Sequence, residues 1–244
     1  MAIPNIIICG DKGAGKSSLV NMIANKSIAQ DSSLFRCTFH TFQSSSFTVE
    51  IGDMQLNLHE TQSVCGCKTS EAEVIMGLYT LLRKLENGVN LLVFCMQGTI
   101  LQDTVRNWEL FCNIICQWQV PILLVITRRE SEENMDDWWA RNEKQCTRSR
   151  MCPNGAACIT ATRGKERNGV HVFDKEYEES QKKIWQAIRR LYLPNDPWRV
   201  PLKEWLMETI EKLYNRRVIE MRTTEAEAKE LTRMLIKIGD SARN

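Results

Sequence analysis

The sequence predicts an α/β fold, a three-layer sandwich whose mostly parallel sheet, with one antiparallel edge strand, lies between helical layers and is followed by a helical C-terminal extension. Three observations predict it. Short apolar runs rich in β-branched residues recur along the chain (Ile3–Cys9, Val89–Met96, Val120–Thr127). They lack polar alternation, so they read as strands buried on both faces. Amphipathic helical stretches alternate with them, which is the rhythm of parallel strands joined by crossovers.

Each element has its own local reason. Ile3–Cys9 carries Ile6, Ile7 and Ile8, and a glycine-rich turn separates it from Ser17–Ala24, where Leu19, Val20, Ile23 and Ala24 follow helical spacing. Residues 25–43 are polar and serine-rich and read as a long loop. Phe47–Ile51 and Met54–Leu58 alternate around Gly52-Asp53, the pattern of a β-hairpin. A loop around Gln62–Ser70 leads into a helix over Glu71–Glu86, with Ile75, Leu78, Leu82 and Leu85 on one stripe. Beyond the strand Val89–Met96, Thr104–Trp118 reads as helix, Val120–Thr127 as strand, Asp136–Arg148 as helix and Ala156–Thr160 as strand. Lys175–Tyr192 is a helix with Ile184, Trp185, Ile188 and Leu191 inward. Pro194, Pro197 and Pro201 place a boundary near residue 195, dividing a domain over 1–195 from an extension over 196–244. Within that extension Leu202–Ile238 is helical, with Leu206, Ile210 and Leu213 and then Ala228, Leu231, Leu235 and Ile238 on apolar stripes.

Composition excludes several classes. Lys plus Arg number 32 and Asp plus Glu 30, and the resulting net charge of +2 argues against a protein built to grip nucleic-acid phosphates. No apolar run approaches the ~18–20 residues of a membrane span. With 43 % hydrophobic and 25 % charged residues, the chain has the composition of a globular protein. The ten cysteines read as reduced thiols: Cys9 and Cys95 lie in apolar runs, Cys112 and Cys116 sit one helical turn apart, and the N-terminus lacks a secretory pattern. A cytoplasmic location is the expectation. Cys65 with Cys67, and Cys146, Cys152 and Cys158, lack the paired spacing of a zinc site and have no accompanying His.

The strongest signal is Gly10-Asp11-Lys12-Gly13-Ala14-Gly15-Lys16-Ser17, which fits GxxxxGK[ST] between a buried strand and an amphipathic helix. Phosphate oxygens need successive backbone N–H groups pointing inward, and Gly10, Gly13 and Gly15 permit that curvature. The helix adds its positive end at Lys16, Ser17 and Ser18. Lys16 would reach the β- and γ-phosphates, and the Ser17 hydroxyl would ligate Mg²⁺. The sandwich is thus expected to be that of a P-loop NTPase. A later strand end selects the base. Thr127-Arg128-Arg129-Glu130 offers a carboxylate that guanine N1–H and its 2-amino group can satisfy, whereas adenine would leave it unpaired. The next strand ends Thr160-Ala161-Thr162, where a backbone N–H could meet guanine O6.

On these residues the chain resembles the immunity-associated GTPases (the GIMAP or avirulence-induced type), and especially fungal G-domain-containing proteins, over roughly residues 3–193. The likeness lies in GDKGAGKSSLVNMI, Cys37-Thr38, NLLVFCMQG and the replacement of the guanine motif by a TRKE-like variant at Thr127, Arg128 and Glu130. The resemblance implies GTP and GDP as ligands with Mg²⁺, a SAK-like position at Thr160–Thr162, and Thr38 as the switch threonine closing on metal and γ-phosphate. It also implies a homodimer through the switch face, or another protein partner, supplying a missing catalytic group. The chain departs from the family where DxxG is expected: it reads His59-Glu60-Thr61-Gln62-Ser63. Glu60 keeps a carboxylate for the metal, acting through water, while the Cβ of Ser63 crowds the γ-phosphate approach that a glycine would leave open. Slow GTP hydrolysis is the expectation. Two alternatives are a nucleotide-binding scaffold without hydrolysis and an ATP-dependent phosphotransferase using loop arginines such as Arg128, Arg129, Arg148, Arg150 and Arg163.

Overall fold

A computed structural model of the chain describes residues 2–29, 44–63 and 71–201, with backbone only for 71–76, and further on 204–205, 208–212, 215 and 233. Six strands form one sheet: β1 (Asn5–Gly10), β2 (Ser44–Ile51), β3 (Met54–Thr61), β4 (Leu91–Met96), β5 (Ile122–Ile126) and β6 (Gly155–Cys158). Their order is β2-β3-β1-β4-β5-β6, and among the described residues only the edge pair β2–β3 of this sheet is antiparallel. In register, Ile6 lies beside Leu91 and Ile8 beside Glu60, while Val93 lies beside Leu123.

Both faces of the central strands are covered, which is why their sequences are apolar without interruption. On one face Ile6, Ile8, Leu91, Val93, Leu123 and Val125 pack under α1 (Lys16–Ala24) and a long C-terminal helix of the domain, which supplies Ile184, Ala187 and Ile188. On the other, Ile7, Phe94, Leu124 and Ile126 meet α2 (Glu71–Lys84) through Leu78, Leu81 and Leu82, and α3 (Gln102–Trp108) through Trp108. Next in order come α4 (Asp137–Arg148), a small hairpin of β7 (Glu166–Arg167) and β8 (Val170–His171), and α5 (Asp174–Leu191), the helix just described.

Four local differences from the sequence expectation have physical causes. The serine-rich residues 44–46 join β2 because their backbone pairs with Thr61, Glu60 and His59, and Ser46 Oγ meets His59 Nδ1 at 2.9 Å. The helix expected over Thr104–Trp118 changes to π-helical winding at Glu109–Ile115, with Cys116 N–H donating to Phe111 O, five residues back, at 3.0 Å. Val89 lies outside β4 and instead makes an isolated antiparallel bridge to Trp198. The β7–β8 hairpin turns on Asn168 and Gly169, both with positive φ (53° and 80°), as a two-residue loop of this kind requires.

Past the proline-rich stretch the chain packs back on the helical layer through Trp205. Trp205 is 1 % exposed, stacks on Tyr79 of α2 at 6.1 Å, and donates from Nε1 to Ile115 O at 2.7 Å. It thereby satisfies a carbonyl at the end of the π-helical turn. Residues 204–205, 208–212 and 215 are helical; Leu206, Leu213 and the stripe from Ala228 to Ile238 lie outside the described residues.

Candidate nucleotide-binding site

The site lies at the C-terminal ends of the parallel strands, where open α/β sheets hold ligands. β1 ends at Gly10, whose φ is +125° and where an added Cβ would sit 2.1 Å from Cys95 O, so only glycine lets the chain pass β4 here. Asp11 N–H bonds Cys95 O at 3.0 Å and turns the loop outward. Gly13 and Gly15 hold φ values of 71° and 79°. The first intrahelical bond of α1 runs from Leu19 N–H to Gly15 O at 2.8 Å, leaving the Lys16, Ser17 and Ser18 amides without intrahelical acceptors. Gly15 supplies no side-chain cap, and the first turn carries no acidic residue. The result is an uncapped, positively polarised helix end facing a curved loop, a geometry suited to an anion.

Two side chains of this loop face the end of β3. Lys16, 6 % exposed, donates from Nζ to Ser63 Oγ at 2.7 Å, to Asp11 O at 3.0 Å and to Gly10 O at 3.4 Å. Burial pulls its ammonium below the usual lysine range. Ser17 donates its hydroxyl to Glu60 Oε1 at 2.6 Å. A serine hydroxyl and a carboxylate converging on one point are hard oxygen donors of the kind Mg²⁺ takes, with phosphate oxygens and water completing its shell. Glu60 reaches this point because it shares the α1-facing side of β3 with Leu58 and Leu56, two and four residues back. Thr38 lies outside the described residues.

The remaining loop residues divide by direction. Ala14 is fully buried, and its carbonyl accepts from Thr127 Oγ1 at 3.1 Å. The Asp11 side chain turns away from the loop interior to α3, accepting from Thr104 Oγ1 at 2.6 Å and Asn107 Nδ2 at 2.8 Å. Gln97 Nε2 donates to Gly13 O at 2.5 Å. Sequence reasoning missed Thr104, Asn107 and Gln97. The helical i, i+3 spacing of Thr104 and Asn107, two polar groups on one face at the start of a helix, was the signal for the first two.

Thr127 anchors the loop that follows β5. Its bond to Ala14 O ties the end of β5 to the phosphate loop, and its N–H donates to Met96 O at 2.9 Å. Arg129 N–H donates to Ile159 O at 3.2 Å, laying 127–130 alongside 159–162. The Arg129 guanidinium is spent on Thr127 O and Gln97 O at 3.1 and 3.0 Å and on Glu132 Oε1 at 3.4 Å. Arg128 is exposed with φ of 61°. Glu130 is half-buried, and its Oε2 is enclosed without a hydrogen-bond partner among the described residues. Ala161 is half-buried and Thr162 exposed, its hydroxyl accepting from Gly164 N–H at 3.1 Å. The structure thus brings the loop Gly10–Ser18, Glu60, Thr127 and the segments 127–130 and 159–162 to one end of the sheet.

No family model matches the sequence, and a search of curated proteins finds no match. Solved structures do match. A variant of Era from Aquifex aeolicus bound to GDP and AlF₄⁻ is similar at 14 % identity and a TM-score of 0.55, over 88 % of this chain and 67 % of that one. Toc33 from Arabidopsis thaliana in complex with Mg²⁺ and GMPPNP is similar at 13 % identity and 0.52, over 77 % and 83 %. A structure of the chloroplast translocon components atToc33 and psToc159, for whose GTPase activity dimerization is important, matches at 13 % and 0.51, over 76 % and 83 %. At such identities the likeness concerns architecture, and what it shows is that this chain has the α/β fold of the P-loop GTPases.

Proposed function

We propose that the chain is a guanine-nucleotide-binding protein that holds GTP or GDP with Mg²⁺ in the loop Gly10–Ser18 and hydrolyses GTP slowly to GDP and phosphate, as a switch or assembly module. The observation that carries the reading is the uncapped start of α1, with Lys16 and Ser17 turned toward Glu60 and Ser63. The amides of Gly13, Gly15, Lys16, Ser17 and Ser18 would hold phosphate oxygens, and Lys16 would neutralise charge on the β- and γ-phosphates. Ser17 and Glu60, with Thr38, would hold Mg²⁺, which supplies charge neutralisation at the transferring phosphate. Water attacks the γ-phosphorus, the bond to the bridging oxygen breaks, and GDP leaves.

Guanine rather than adenine is supported by the carboxylate of the half-buried Glu130 on the loop after β5, whose acceptors guanine N1–H and the 2-amino group would satisfy once the side chain turns toward the base. Arg128 would stack on the base, and backbone N–H groups at Ala161 and Thr162 would meet O6. The finer resemblance to immunity-associated and fungal GTPases rests on the sequence of the loop and of Thr127–Glu130. Within this reading residues 1–195 are the G domain and 196–244 an appended helical segment. The dimer dependence of the translocon GTPases supports a homodimer through the switch face as the source of a catalytic group. Among the described residues no helix is long and apolar enough to cross a membrane. The buried free thiols of Cys9, Cys95, Cys112, Cys116, Cys146 and Cys158 fit a reducing compartment such as the cytoplasm.

A scaffold that binds nucleotide without hydrolysing it is favoured by one observation, the engagement of Lys16 by Ser63 where a glycine would leave the lysine open. The phosphotransferase reading loses support. Arg163 is committed to Asp174 and to the Tyr177 ring at 4.3 Å, and Arg129 to backbone carbonyls. Calorimetry with GDP, ADP and a GTP analogue, each with Mg²⁺, tests the proposal. Glu130→Ala should abolish GDP binding and Glu130→Asp retain it, and tighter ADP than GDP binding would refute the guanine assignment.

A further inference from the structure

Ser63 stands two residues beyond β3, and its hydroxyl is the shortest of the three contacts made by the Lys16 ammonium, at 2.7 Å against 3.0 Å to Asp11 O and 3.4 Å to Gly10 O. An ammonium has three N–H donors, so the protein itself takes all that Lys16 can offer. The two carbonyls belong to the phosphate loop and move only with it. The Ser63 hydroxyl belongs to a separate segment, and a glycine in its place would give Lys16 nothing. We propose that Ser63 sets this site's preference for a nucleoside diphosphate over a triphosphate, by occupying with its hydroxyl the Lys16 N–H that a third phosphate would claim.

This inference rests on the nucleotide-binding reading and assigns its selectivity to one side chain. A diphosphate is held by the loop amides with the Lys16 charge beside it, so the Lys16–Ser63 contact persists. A triphosphate needs the third donor as well, and the contact has to break. A hydrogen bond to a charged group is strong enough that its loss weakens triphosphate binding by about tenfold. Ser63 is half-buried and not part of the apolar core, so truncation there leaves the fold intact.

Equilibrium binding of GDP and of a non-hydrolysable GTP analogue, both with Mg²⁺, to the full chain and to Ser63→Ala and Ser63→Thr tests this. The intact protein should favour GDP. Ser63→Ala should tighten analogue binding by about tenfold and leave GDP binding unchanged, since only one donor is released. Ser63→Thr keeps the hydroxyl and should keep the original ratio. Weaker analogue binding by Ser63→Ala, or an unchanged ratio in a protein that binds GDP, overturns the role of Ser63 and leaves the nucleotide reading standing. Failure of the intact protein to bind either nucleotide overturns both.

Discussion

Asp11 is where the structure makes its sharpest mechanical claim. Its carboxylate accepts from Thr104 Oγ1 at 2.6 Å and Asn107 Nδ2 at 2.8 Å, and these partners are only 1 % and 2 % exposed. Asp11→Ala leaves two buried donors without an acceptor and frees the phosphate loop from α3. Charge-assisted bonds contribute about 1.5–3 kcal/mol each; because Asp11 itself is half-buried and the two bonds share one carboxylate, the expected loss is about 3 kcal/mol in total. For a chain of this length that corresponds to a Tm about 6–12 °C lower. Asp11→Asn should behave differently. Asn107 Oδ1 is buried and unpartnered among the described residues, so a flip of the Asn107 amide gives the new Nδ2 an acceptor, and the loss should be about 1 kcal/mol. Urea unfolding measures both variants. An alanine variant within about 0.5 kcal/mol of the parent, or an asparagine variant as damaged as the alanine one, would refute the reasoning.

Two further outcomes follow from buried groups. Burial pushes the His59 imidazole down to about 4 from an ordinary 6.5, with Ser46 Oγ and Asn5 Oδ1 at its ring nitrogens. The unfolded chain therefore binds a proton that the folded one refuses. Stability is full above about pH 6.5 and falls by about 3 kcal/mol as the pH drops to about 4, and His59→Gln should flatten that part of the urea-midpoint profile. Trp205→Ala empties the space against Tyr79 and removes the donor to Ile115 O, at a cost of about 3–5 kcal/mol, whereas Trp205→Phe forfeits mainly the hydrogen bond, about 1 kcal/mol. Denaturant midpoints of the two variants distinguish packing from hydrogen bonding.

The turn from β1 into α1 was legible because its demands are local. Glycines are needed where φ is positive and where a Cβ would strike Cys95 O, and both facts are written into the spacing of Gly10, Gly13 and Gly15. The parallel core was legible because strands covered on both faces are apolar throughout. Ser44–Ser46 was not, since serine has little preference for strands and joins β2 only through pairing with β3. The π-helical turn after α3 keeps the same inward stripe as an α-helix, so periodicity alone does not reveal it. Asn168-Gly169 carried a hairpin signal in plain sight. The direction of the Asp11 side chain and the Lys16–Ser63 contact depend on residues 93 and 47 positions away, which no local pattern encodes.

The central claim is that a purine nucleotide sits with its phosphates on the start of α1 and its base on Glu130. It is tested most directly by incubating the protein with Mg²⁺ and an equimolar mixture of GDP and ADP, removing free nucleotide by gel filtration, and identifying what the denatured protein releases. Stoichiometric GDP with little ADP is the predicted result; predominant ADP, or no retained nucleotide, would contradict it.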